Sequence, residues 1–156
     1  MVMSLLIAVA LVVVTVAIHA AGLDVMLRAL MRSRALEVSG YRSVTGLVIL
    51  LTCWLILVHL VEISVWGLFY LWRGFLPDAE SALYFSGATY TTVGYGDLVL
   101  RRPWRVIATL ESLTGILMCG LSTGLFFALV SRWIGKWMQR ENALERDRST
   151  ASLDRP

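Results

Sequence analysis

The chain has 156 residues, of which 58% are hydrophobic and only 16% charged, against roughly 25% charged in ordinary soluble domains. So few charges could not cover so much apolar sequence in water, which excludes an ordinary soluble domain and makes lipid the natural solvent for much of the chain. The net charge of +3 comes almost entirely from arginines clustered between and after the apolar runs. That is where membrane anchors sit, and no basic face of a soluble nucleic-acid-binding domain is visible.

The first apolar run, Val2 to Ala21, has the length of a spanning helix. No Lys or Arg precedes it and it is long, so it reads as a retained helix rather than a signal peptide. Gly22 is expected to end it. Asp24 then precedes Val25 to Val38, which reads as a short amphipathic helix capped by Asp24. Arg28 and Arg32 share one face, and Leu27, Leu30 and Met31 offer an apolar side. Such a helix suits the membrane interface, with anionic lipid contact at Arg28, Arg32 and Arg34.

The second run, Val44 to Trp72, is long for a span and ends in Trp66, Tyr70 and Trp72, an aromatic belt at the interface. His59 and Glu62 interrupt it on one helix face. A polar stretch, Arg73 to Ser81, leads to Ala82–Tyr90, which is apolar but too short to span and therefore reads as re-entrant. TTVGYGD follows, and its two glycines do not continue a helix easily. The third full run, Val106 to Val130, is punctuated by Gly115, Gly120 and Gly124, residues that permit close packing or bending. A charged tail begins at Lys136, where Glu141 and Glu145 at helical spacing allow a short continuation before a frayed end from Ser149 to Pro156. Cys53 and Cys119 lie inside apolar runs without metal-type neighbours and read as small packing residues.

Irregular backbone at membrane depth is tolerated only where it is buried in protein or lines a water-filled cavity. A short helix ending in TTVGYGD between two spans therefore asks for a pore loop. A dehydrated cation needs a cage of oxygens, which backbone carbonyls supply if they all turn inward. Gly94 and Gly96 permit the necessary dihedrals, Thr92 can add its hydroxyl, and Val93 and Tyr95 would point away and pack. The short helix aims the partial negative charge of its C-terminus at the pore, and Asp97 adds charge at the outer mouth. One chain supplies one wall, so a closed ring needs several copies.

From about Val44 to Gly135 the chain resembles the two-transmembrane potassium channels of prokaryotes, and Ser81 to Leu98, SALYFSGATYTTVGYGDL, resembles their pore helix and filter throughout. In those channels four TVGYG loops replace the ion's hydration shell with carbonyl oxygens. The resemblance implies a homotetramer in the bilayer of the bacterial inner (cell) membrane, conducting K+ passively, with K+ held at Thr92, Val93, Gly94 and Tyr95 and with Gly96 closing the filter. It places Gly115 at the hinge with Gly120 below it. Ile116, Cys119 and Thr123 then face the cavity, and Phe126 or Phe127 becomes a candidate gate. Ala88 stands where the best-known member carries a glutamate behind its filter, so support is expected from Tyr84, Thr91 and above all Glu111, reaching the pore helix near Ser86 or Thr89.

The expected fold is an all-α membrane protein. Residues 1–22 would be an N-terminal transmembrane helix and 23–43 a cytoplasmic interfacial linker. Residues 44–135 would be the pore domain, with outer helix 44–72, pore helix 81–91, filter 92–96 and inner helix 104–131, and 136–156 a cytoplasmic tail. Ten basic residues on one side of the spans against four on the other put the N-terminus outside and the C-terminus inside. No organic cofactor, no nucleic acid and no enzyme activity is expected, since neither a nucleophile–base set nor a metal cluster is apparent. The alternative function is a non-conducting or regulatory membrane subunit that retains the pore-domain fold, whose mark would be a damaged filter.

Overall fold

In hydrocarbon every backbone polar group must be satisfied within the protein, so long apolar runs become helices. The computed structural model describes residues 2–32 and 41–153. Its elements are α1 (Val2–Arg32), α2 (Tyr41–Trp72), α3 (Ala79–Tyr90) and α4 (Arg105–Leu153), with no strand among the described residues. Three stretches, Leu5–Arg32, Thr45–Trp72 and Arg105–Leu144, are long and apolar enough to cross a membrane. The fold is all-α: two long helices flank a short one, and a further long helix precedes them.

Between long apolar helices in lipid there is little hydrophobic drive, so close packing and polar contacts decide how they associate. α1 and α2 run antiparallel. The Trp66 indole donates to Thr15 Oγ1 at 2.9 Å, and one to two turns further along α1 the Trp54 indole donates to the Gly22 carbonyl at 2.9 Å. Each such bond is worth roughly 0.6–2 kcal/mol in a membrane setting. Gly22 sits at the crossing, where a Cβ would lie 2.6 Å from Val58 Cγ2.

Two apolar clusters lie along the bundle. One gathers Trp66, Tyr70, Phe85, Tyr90, Ile107 and Met118 around α3; the other gathers Met26, Leu30, Leu47, Leu51 and Trp133 from α1, α2 and α4. The second cluster explains why the helix does not stop at Gly22, as the sequence reading expected. A mid-helix glycine costs only about 1 kcal/mol, and continuing the helix buries Met26 and Leu30. Asp24 is consequently not a cap; it pairs with Arg28 one turn on, at 2.8 Å. Arg34 and the rest of 33–40 lie outside the described residues.

Boundaries elsewhere also move. α3 starts two residues before the expected pore helix, because Asp78 is its N-cap and accepts from the Ser81 N–H at 2.8 Å. α4 runs unbroken through Gly115 and Gly120 to Leu153, well past residue 131 and through most of the expected tail. Nothing in its hydrogen-bonded backbone requires a stop there, since Arg132–Leu153 contains neither Pro nor a run of breakers.

Candidate functional site: the loop after α3 and its supports

α3 ends at Tyr90, and Thr91 caps it, its N–H donating to the Gly87 carbonyl at 3.1 Å. The next residues leave the helix with an unusual backbone. Thr92, Gly94 and Gly96 have φ of 63°, 53° and 78°, while Val93 and Tyr95 between them stay out of the left-handed region. In an ordinary strand successive carbonyls point to opposite sides. Alternating the hand at every second residue turns successive carbonyls to the same side, which is what a row of ion ligands requires. The two glycines reach positive φ freely. Thr92 does not: a β-branched residue there is a genuine outlier, at a cost of order 1–3 kcal/mol. The sequence reading assigned this conformational demand to the glycines alone and missed Thr92.

The strained segment is held from behind. The Thr92 N–H donates to the Thr89 carbonyl and the Gly94 N–H to the Ala88 carbonyl, both at 3.0 Å. Ala88 thus acts through its backbone. Thr91 Oγ1 donates back to the Gly87 carbonyl at 2.6 Å. At the far end the Tyr84 hydroxyl donates to Asp97 Oδ2 at 2.8 Å, and the Leu98 N–H donates to Asp97 Oδ1. The Tyr84 donation, helped by Leu98, holds the Asp97 carboxyl below the ordinary carboxylate range, and the same bond raises the Tyr84 phenol. Tyr95 lies parallel over Tyr84, ring centroids 6.3 Å apart. Residues Thr91 to Asp97 are all exposed on the single chain, Tyr95 most conspicuously at 71%.

Glu111 reaches α3 as the sequence reading placed it. Its side chain is fully buried and accepts from the Tyr70 hydroxyl and the Ser86 hydroxyl, each at 2.6 Å. Ser86 Oγ also lies 2.8 Å from the Ile63 carbonyl. Glu111 therefore joins α2, α3 and α4. Ser112, beside it, donates to the Thr89 carbonyl at 2.8 Å, a contact the sequence reading did not find.

Gly115, which the resemblance places at a hinge, meets a packing demand. A Cβ there would lie 2.0 Å from the Tyr90 carbonyl oxygen, so its bare backbone lets the end of α3 rest on α4. Gly120 meets nothing within 4 Å. Of the expected cavity residues, Ile116 and Thr123 lie on an exposed face and Cys119 is half-buried against the α3 cluster. Phe126 packs with the cluster of Met26, Leu47 and Trp133, while Phe127 is 71% exposed.

His59 and Glu62 do not form an isolated pair. Glu62 is fully buried and receives His19 Nδ1 at 2.8 Å, His59 Nδ1 at 3.4 Å and the Tyr90 hydroxyl. His19, Tyr90 and Ser122 were not singled out in the sequence. The signal for His19 was available: an ionisable residue inside a spanning run is costly and faces partners rather than lipid. Among the described residues Glu62 and Glu111 share no hydrogen-bond partner.

A family model described as ion channel matches residues 56–132, from the middle of α2 to the middle of α4. This segment contains α3, the left-handed loop and both carboxylate clusters. The match supports an ion-channel pore domain over residues 56–132. With three helices able to span a bilayer, the channel is an integral membrane protein. Among curated proteins and among solved structures nothing matches the chain. The channel match accords with a transporter rather than an enzyme.

Proposed function

We propose that the chain is one subunit of a potassium-selective channel, in which four copies bring their Thr92–Gly96 segments around one axis and pass K+ passively down its gradient. The observation that carries this reading is the alternation of hand at Thr92, Gly94 and Gly96 in a segment of sequence TVGYG, the composition of potassium filters. One exposed row of carbonyls cannot enclose an ion, so several chains are needed. The exposure of Tyr95 and Val93 on the single chain supports neighbours in the same sense. K+ would be held by carbonyls of Thr92, Val93, Gly94 and Tyr95, with Asp97 at the outer mouth. Arginine placement favours an outer N-terminus and a cytoplasmic C-terminus in a bacterial cell membrane, with Arg28 and Arg32 near anionic headgroups.

The test is flux from liposomes reconstituted with the purified chain. Potassium efflux that far exceeds sodium efflux, and that loses this preference in Gly94→Ser, supports the proposal. Equal fluxes of the two ions reject selectivity, and no flux of either rejects conduction.

A further inference from the structure

The buried cluster at His19, His59 and Glu62 is not used by ion passage, yet four helices converge on it. We propose that it is a binding site for a transition-metal dication of the zinc type, with His19 Nδ1, His59 Nδ1 and a Glu62 carboxylate oxygen as ligands and the Tyr90 hydroxyl in the fourth position. The ligand atoms of the three residues lie within 4.8 Å of one another. Individual separations are 2.8 Å for His19 Nδ1 to Glu62 Oε1, 3.4 Å for His59 Nδ1 to Glu62 Oε2 and 3.0 Å for His59 Nδ1 to the Tyr90 oxygen. Ligands about 2.0–2.1 Å from tetrahedral zinc are separated by roughly 3.3 Å along the edges. The side chains thus surround a common point, and closing on an ion would draw in ligand atoms spaced up to 4.8 Å apart and open the Tyr90–Glu62 contact. Two imidazoles with carboxylate and phenol oxygens are a donor set for zinc and its neighbours rather than for Mg2+ or Ca2+.

The second ring nitrogens show how the two histidines would be oriented. Tyr90 donates to Glu62, so the oxygens facing His59 Nδ1 are both acceptors, and His59 must carry its proton on Nδ1. His19 Nδ1 faces the Glu62 carboxylate and must do the same. Both Nε2 atoms are then bare acceptors, and both face Ser122 Oγ, at 3.3 and 3.2 Å. Ser122 has one proton, so it can donate to only one of two neutral rings, and the other ring must present an N–H on Nε2 instead. A dication is compatible with this arrangement. With metal on both Nδ1 atoms each ring keeps one proton, moved to Nε2, and both N–H groups donate to the two acceptor positions of the single serine oxygen. Metal-bound histidines ordinarily have their second nitrogen fixed in this way.

The ion would pin α1, through His19, to the end of α3 two residues before Thr92, giving the extra helix a role at the base of the loop. The experiment uses the full chain without an affinity tag, in detergent, stripped by chelator and titrated with Co2+ alone. One Co2+ per chain with the visible bands of a tetrahedral ion, displaced by Zn2+ and lost in His19→Ala, His59→Ala and Glu62→Gln, is the expected result. Ser122→Ala should weaken binding by about 10- to 100-fold; an unchanged affinity overturns the assignment of Nδ1 as the ligand atoms. Removing a buried ligand can also unfold a chain, so the wild-type spectrum decides by itself: absent or octahedral bands overturn the site. Binding that survives in a ligand variant overturns it too. The readout is metal rather than flux, so either result leaves the channel proposal to its own test.

Discussion

The Glu111 cluster makes a prediction that separates the carboxylate's shape from its hydrogen bonds. Replacing Glu111 with Leu keeps most of the volume but leaves the buried Tyr70 hydroxyl without the acceptor it has at 2.6 Å. Ser86 suffers less, because the Ile63 carbonyl lies 2.8 Å away and accepts its proton. The expected loss is therefore that of one stranded buried donor, about 1–3 kcal/mol. Glu111→Gln should be much milder: the amide oxygen accepts from Tyr70, and the amide N–H donates to Ser86, whose proton goes to Ile63. Tyr70→Phe added to Glu111→Leu removes the stranded group and should recover most of the loss, since replacing both partners of a buried bond by apolar groups is often nearly neutral. The assay is denaturation of the purified protein in detergent for wild type, the three single variants and the double variant. A Gln variant as unstable as the Leu variant, or a double variant no better than Glu111→Leu, would refute the reasoning.

Three further outcomes follow. Gly115→Ala puts a methyl 2.0 Å from a backbone carbonyl, so it should cost at least the 1–3 kcal/mol typical of overpacking, roughly; Gly120→Ala should be harmless and Gly22→Ala intermediate, because Val58 presents only a side-chain end. Equal melting temperatures for all three would contradict the packing account. Asp97 has a lowered carboxyl because Tyr84 donates to it, so the stabilisation from this bond is present above the ordinary value of 3.8 and is lost as pH falls through the lowered one. Tyr84→Phe should move the Asp97 titration, read by carboxyl-carbon NMR, back upward; an unmoved titration would remove Tyr84 as the cause. Gly96→Ala meets no steric neighbour but forces φ 78° on an L side chain, and it should disturb ion discrimination while leaving the fold's thermal stability nearly intact, as flux and melting together would report.

Much of this was legible because lipid imposes strong rules. Runs of about 20 apolar residues must be helices, and a TVGYG segment between two of them left one reading for the loop. Glu111 was legible too, since a buried carboxylate in a span needs partners, and Ser86 was one helix face away. What the sequence could not show depends on contacts between distant residues. His19 meets Glu62 across 43 positions, and only the antiparallel pairing of α1 with α2 sets that register. The resemblance puts a hinge at Gly115 but says nothing of the Tyr90 backbone resting against it. Gly22 reads as a stop until Met26 and Leu30 are seen buried beyond it. Thr92 gives no warning of its positive φ, because propensity argues the other way.

The central claim, that the left-handed alternation at Thr92, Gly94 and Gly96 builds a potassium filter, is tested most directly in a planar bilayer with K+ on one side and Na+ at equal concentration on the other. The account predicts a reversal potential displaced far toward the potassium equilibrium value, collapsing toward zero in Gly94→Ser. A wild-type reversal potential at zero would contradict it.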